Sequence, residues 1–293
     1  GVVAVAQERQ RVPHAAAGRL ENDLRSAGYV MAETGYGANE TVLRLALPDE
    51  PAAMADAGAR LAALTAGSAV LQPEGTEWID VPGGLYEIGH DGNGFAFDNE
   101  APRHRVWLEP FGIADRLVTV ADYLGFIDAG GYRSPELWLS DGWAAVQSEG
   151  WTAPLYWQKS GSGWTQFSLE GRNAIDAAAP LLHVSYYEAD AFARWAGCRL
   201  PTEAEWEIAS VQSGFYHGAD QAWQWTASPY VGYPGYAPAA GAVGEYNGKF
   251  MANQMVLRGG SFATPANHSR SSYRNFFPPS ARWLFSGIRL VRG

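Results

Sequence analysis

The chain has 293 residues and a formal net charge of −10, with 47% hydrophobic and 18% charged residues. This is the composition of a globular protein with a sizeable core and excludes a disordered one. The acidic balance, with Lys159 and Lys249 the only lysines, argues against nucleic-acid phosphates or an anionic membrane as partners. A single cysteine, Cys198, rules out an internal disulfide and fits a reducing compartment. No apolar run approaches the roughly 18 residues of a membrane span, and no charged-then-apolar leader opens the chain. A soluble, cytoplasmic protein is expected.

Residues 1–70 are rich in alanine and leucine and free of tryptophan, which sets them apart as a small α/β unit. A strand is expected over Val2–Ala6, an amphipathic helix over Ala15–Ala27, a strand over Thr41–Leu47 and a second helix over Glu50–Ala66. This order loosely resembles the C-terminal small domain of fold-type I aminotransferases. No lysine lies in it to hold pyridoxal phosphate, so an accessory or linking role is expected. The Gly-, Ser- and Pro-containing segment Gly67–Glu74 marks the boundary, giving domains 1–70 and 71–293.

Beyond it, Trp78–Val81 and Gly84–Ile88 flank a Pro82-Gly83-Gly84 turn and predict a hairpin. The oxygens of Asp91 to Glu100 suggest a solvated loop. Their spacing departs from a twelve-residue calcium loop, the other reading of this segment. His104–Ile113 reads as one extended strand. Thr119 and Asp122 then open a helix with Val120, Tyr123, Leu124 and Ile127 on one face, stopped by Gly130-Gly131. Ser185 and Glu188 form a fuller capping box, with Ala189, Phe192, Ala193 and Ala196 on one face, and Thr202 and Glu205 open a third helix. Between the first two helices, Trp138, Trp143, Trp151, Trp157 and Trp164 follow neither period for long and read as packing anchors.

The C-terminal part carries the densest signal. Val256-Leu257-Arg258-Gly259-Gly260-Ser261 and Phe285-Ser286-Gly287-Ile288-Arg289-Leu290-Val291 are short apolar strands, each bearing an arginine that needs buried acceptors. They enclose Tyr273-Arg274-Asn275-Phe276-Phe277-Pro278-Pro279. These residues, with His183-Val184-Ser185-Tyr186 and Leu200 to Glu207, resemble the formylglycine-generating-enzyme-like (sulfatase-modifying-factor) domain. Trp223 to Ser228, Glu245 to Met251 and Asn253 to Met255 are similar, within that superfamily, to the hercynine oxygenases, the ergothioneine sulfoxide synthases. The resemblance covers roughly residues 76–293 and implies an α+β, C-type-lectin-like fold with low regular-structure content.

Hercynine oxygenases join the sulfur of a thiol, such as cysteine or γ-glutamylcysteine, to the imidazole ring of hercynine with iron(II) and oxygen. The family holds its iron with three histidines of a DinB-like helical domain, two of them in an H-x3-H-x-E motif. Here the histidines are His14, His90, His104, His183, His217 and His268, no two of them three or four apart, so no metal ligands are assigned. A separate metal-binding domain or chain is then implied as partner. The resemblance makes Asn275 an amide contact to substrate, with Phe276 and Phe277 walling the pocket. Tyr246 and Trp283 join the two phenylalanines as faces for a trimethylammonium group, and Arg274, Arg282 and Lys249 are candidates to meet a carboxylate. Formylglycine generation needs a pair of cysteines, which one thiol cannot supply. The chain also departs from the family between Ala209 and Trp223, where a longer loop is usual. The alternative function is a non-catalytic ligand-binding module on the lectin-like scaffold.

Overall fold

The computed structural model describes residues 5–13, 24–26, 30–36, 40–48, 70–71 and 76–293, the last apart from 162, 239–240, 242–244 and 266–267. Strands β1 (Val5–Pro13), β2 (Val30–Tyr36), β3 (Glu40–Pro48) and β4 (Val70–Leu71) form an antiparallel sheet in the order β2-β3-β1-β4. β3 falls where Thr41–Leu47 was expected. β1 starts near the end of the expected Val2–Ala6 strand and runs through Gln7 to Arg11, a polar stretch without apolar alternation. β2 was not expected, and β4 lies in the segment expected to be a connector. Of the helix expected over Ala15–Ala27, only residues 24–26 are described, and they are helical. The helix expected over Glu50–Ala66 lies outside the described residues.

Strands β5 (Trp78–Val81) and β6 (Gly84–Ile88) flank the predicted turn but do not pair with each other. β6 pairs with β7 (His104–Leu108), while β5 pairs with β8 (Phe111–Ala114), which also takes β16 (Val291–Arg292). The single strand expected over His104–Ile113 is therefore broken at Glu109-Pro110, because proline has no amide hydrogen to give a ladder. A Cβ at Gly83 would lie 2.9 Å from the Pro110 ring, so turn and break sit against each other and the chain parts there into two sheets.

The three capped helices are where local chemistry puts them. They are α1 (Val120–Asp128), α3 (Tyr186–Trp195) and α4 (Glu203–Ala209), and each has a reciprocal capping box: Thr119 with Asp122, Ser185 with Glu188, and Thr202 with Glu205. Between α1 and α3 lie two elements that periodicity did not announce. Helix α2 (Ser140–Glu149) has Leu139 at its N-cap without a side-chain cap and buries only Gly142 and Val146. A sheet of β9 (Trp157–Ser160), β10 (Gly163–Ser168) and β11 (Gly171–Ala174) is mostly exposed. Trp138 and Trp151 are buried, and both indole N–H groups find acceptors.

The central sheet has the order β14-β13-β12-β15, formed by β12 (Trp223–Pro229), β13 (Met255–Gly259), β14 (Asn275–Phe277) and β15 (Ser286–Gly287). Trp225 and Leu257 of this sheet meet Tyr123 and Phe126 of α1 and Ala189 and Phe192 of α3 in the main core. Short elements and long connections place β14 at the sheet edge. No helix among the described residues is long and apolar enough to cross a membrane.

Candidate functional site

Successive side chains of a strand point to opposite faces, and this decides the geometry around β14. Phe277 packs towards the main core and meets Trp283 edge to face at 5.2 Å. Phe276 points the other way and stacks on Tyr230, with centroids 3.9 Å apart and planes at 9°. Phe250 follows at 5.7 Å from Phe276, and Tyr246 at 5.3 Å from Phe250. Phe276 and Phe277 therefore do not wall one pocket, as the resemblance implied. Trp283 belongs to the Phe277 side, Tyr246 to the Phe276 side. Asn275 lies in register with Leu257, and its Oδ1 accepts from the Phe276 amide at 2.9 Å, so its oxygen is partly committed to its own strand.

The arginines expected to meet a carboxylate are engaged internally. Arg274 is buried and grips Glu203 through Nε and Nη2 at 2.8 and 2.9 Å, while Nη1 donates to the Asn99 carbonyl. Arg282 donates Nε and Nη2 to Glu188 at 2.9 and 2.7 Å, gives a further bond to the Ala153 carbonyl, and lies over the Trp151 ring. Both are corrected from substrate contacts to structural pairs, since an arginine withdrawn from water needs a fixed counter-charge. Lys249 is exposed on α5 (Glu245–Lys249). Arg258 also reaches Glu203, at 2.9 Å, and lies 3.0 Å from Glu207. Burial alone would raise the Glu203 carboxyl, but Arg258 and Arg274 outweigh it and hold the group below the usual carboxylate range.

Arg289 differs. It is fully buried, yet its partners are Gln224 Oε1 and the Ala114, Tyr216 and His217 carbonyls, with the Phe215 ring over the guanidinium at 3.9 Å. Burial pushes this arginine down to about 9. The loop between Ala209 and Trp223 supplies Phe215, Tyr216 and His217 to that node.

On the Phe276 side, sequence reasoning missed several groups. Asp98, in a 3-10 turn over Asp98–Glu100, accepts from Asn247 Nδ2 of α5 at 2.5 Å and from the Tyr236 hydroxyl at 3.1 Å. Its neighbour Asn99 donates to the Tyr230 hydroxyl at 2.8 Å, while the Asn99 amide oxygen is buried without a donor. Glu100 holds Arg270, which lies over Phe95, Phe97 and Tyr273. The signal for Asp98 was present in the acidic run Asp98-Asn99-Glu100, but its partners are more than 100 residues away.

No group of three His, Cys, Asp or Glu side chains among the described residues converges as a metal site requires. The described histidines lie in different surroundings: His90 accepting from the Gly92 amide, His104 against Tyr233, His183 against Tyr156 and Phe285, His217 beside Asp220, and His268 between Phe97 and Tyr273. The described side chains thus do not fit a three-histidine iron centre. In the loop 91–94, Asp91 accepts from the Asn93 backbone and side chain. Burial pushes the Cys198 thiol up to about 11, which leaves it a poor nucleophile.

His183 is buried in the left-handed region at φ 64°, with Nδ1 lacking a partner. Burial lowers its pKa, and hydrogen bonds to the backbone of Leu284 and Trp283 offset only part of that. A histidine that resists protonation when folded makes the unfolded chain the stronger proton binder. Its contribution is therefore whole above the ordinary histidine pKa of about 6.5 and declines as pH falls from there towards the depressed folded value. His183→Asn, which tolerates this backbone region, is expected to flatten the fall in urea-unfolding stability as pH is lowered below about 6.5. An unchanged slope would remove His183 as its source.

Comparison with known proteins places these features. The model of the sulfatase-modifying factor enzyme 1-like domain matches residues 65–221 and 212–293. A hercynine oxygenase of Mycolicibacterium smegmatis is 34% identical over 259 residues, covering 72% of this chain and 60% of that protein. The hercynine oxygenase of Mycobacterium tuberculosis is 35% identical over 240 residues, covering 67% of this chain and 56% of that protein. A formylglycine-generating enzyme of Streptomyces coelicolor is 36% identical over 159 residues, covering 50% of this chain and 49% of that protein. The chain thus spans little more than half the length of the hercynine oxygenases it matches. With its capped helices, its α+β lectin-like architecture and a domain match across most of its length, the chain belongs to the sulfatase-modifying factor enzyme 1-like family.

Proposed function

We propose that this chain is the substrate-holding part of a hercynine-oxygenase-type enzyme of ergothioneine-like biosynthesis. In this reading an iron(II) centre on a separate domain or chain oxidises, and a thiol such as cysteine or γ-glutamylcysteine is the second substrate. The supporting observation is the similarity to hercynine oxygenases over about 70% of the chain, at 34–35% identity. Residues 71–293 would be the functional domain and residues 1–70 an accessory one. The chain's own part is to bind and orient. Phe276, Phe250 and Tyr246 offer an open aromatic surface, and the Asn275 side-chain amide at the sheet edge is the polar contact. With Arg274 and Arg282 committed to glutamates, a substrate carboxylate must be met by other groups.

Isothermal titration with hercynine and histidine tests this. Hercynine is expected to bind about tenfold more tightly than histidine, the preference that about 1.4 kcal/mol of cation–π attraction supplies. Phe276→Leu is expected to remove most of that preference. Hercynine affinity without iron-dependent, oxygen-consuming turnover when iron and a thiol are added would instead select the non-catalytic binding module. No binding of hercynine at any concentration up to millimolar would sink the reading.

A further inference from the structure

We propose that Asp98 is the counter-charge of a quaternary-ammonium site walled by Phe276, Phe250 and Tyr246. The proposal rests on the reading of this face as a betaine site, and it deepens that reading by naming the group that recognises the charge.

The first observation is an unmatched carboxylate. Every buried glutamate among the described residues meets arginine: Glu100 meets Arg270, Glu188 meets Arg282, Glu203 meets Arg258 and Arg274, Glu205 meets Arg199, and Glu207 meets Arg258. Half-buried Asp98 has no ion pair among the described residues. Its two oxygens accept instead from neutral donors, Asn247 Nδ2 and the Tyr236 hydroxyl. These fix the carboxylate in place without cancelling its charge. The Asn99 amide oxygen, buried and without a donor, adds a second negative dipole end in the same turn.

The second observation is a run of unclaimed ring faces. Several nearby aromatic faces already hold a guanidinium: Phe95, Phe97 and Tyr273 hold Arg270, Tyr230 and Tyr233 hold Arg274, and Trp151 holds Arg282. No described cation lies over Phe276, Phe250 or Tyr246 in this way. Tyr246 is 65% exposed and Phe250 39% exposed, so these two rings are open to a ligand, while Phe276 has one face stacked on Tyr230.

The two features are one place. Asn247, which clasps Asp98, lies in sequence between Tyr246 on α5 and Phe250 just after it, and Asn99 holds the Tyr230 hydroxyl behind Phe276. A quaternary ammonium carries charge and no N–H. It therefore suits π faces and a carboxylate whose oxygens are already hydrogen-bonded, whereas a primary ammonium would leave donors unmet.

The test uses Asp98→Asn, which preserves shape, and Phe250→Leu, which removes a ring at a partly exposed position. Glu170→Gln, on the exposed hairpin between β10 and β11, is the control. Hercynine and histidine are titrated calorimetrically, and tetramethylammonium is followed by broadening of its methyl proton signal. Asp98→Asn is expected to weaken hercynine and tetramethylammonium about tenfold and to bring hercynine within about twofold of histidine, with Phe250→Leu weakening both cations about fivefold. Glu170→Gln should match the wild type. Wild-type hercynine affinity in Asp98→Asn overturns the proposal and leaves the substrate reading standing. Asp98-dependent binding of tetramethylammonium without hercynine binding supports the cation site and removes the substrate reading. A wild type that binds neither cation overturns both.

Discussion

Glu203→Ala is expected to destabilise the protein by about 3–5 kcal/mol, the cost of breaking a buried ion pair by deleting one partner. Glu203 sits at the start of α4 and is shared by Arg258, fully buried, and Arg274, 3% exposed. Without it, Arg274 keeps only the Asn99 and Val231 carbonyls as hydrogen-bond acceptors, and Arg258 keeps Glu207, the Tyr233 hydroxyl and the Ser271 carbonyl. Urea unfolding at pH 7 measures the loss, and a change below about 1 kcal/mol would show that the two arginines find other partners. The pH dependence has a definite sign. The folded carboxyl lies below its ordinary value, so its contribution is present above the unfolded glutamate pKa and is lost as pH falls through the folded one. Glu203→Gln should therefore remove part of the acid sensitivity as well as part of the stability.

Gly259→Ala is expected to cost about 3 kcal/mol or more, combining left-handed strain with overpacking. Gly259 has φ of 92°, and an added Cβ would lie 2.0 Å from the Gly218 carbonyl oxygen, with Trp206 and Gln224 at 3.2 and 3.3 Å. The strand cannot yield without pushing the 217–218 loop away. That loop gives Gln224 Nε2 its two carbonyl partners, and Gln224 Oε1 in turn holds Trp206 and Arg289. Strain at one glycine would thus loosen the support of a buried, carboxylate-free arginine. Thermal unfolding checks this, with an expected fall of about 6–12 °C from a cost of that size. Ala in place of Gly92, where nothing lies within 4 Å of an added Cβ, provides the comparison for backbone strain alone.

Legibility in the sequence followed distance along the chain. The boxes of Thr119 with Asp122, Ser185 with Glu188 and Thr202 with Glu205 span three residues and could be read directly. So could the need of Arg258 and Arg289 for buried acceptors. Which acceptors they take could not. Arg274 finds Glu203 across 71 residues, Arg282 finds Glu188 across 94, and Asp98 finds Asn247 across 149. The Pro82-Gly83 turn was legible, but its strands separate because Pro110 interrupts a ladder 28 residues further on, a contact no local pattern encodes. Helix α2 was hidden by its polar face and uncapped start. At the candidate site, the family resemblance implied a common wall of Phe276 and Phe277, and only the strand conformation of β14 reveals that they face apart.

That alternation also limits how the segment can vary. Arg274 is tied to Glu203 at one end of β14, and the Pro279 carbonyl accepts the first amide of α3 at the other. A single residue inserted between these anchors would turn Phe276 inward and present Phe277 to the opposite side. Length changes here are tolerable only in twos, so related chains that differ by an odd count in this stretch should carry a compensating bulge or a different ligand surface.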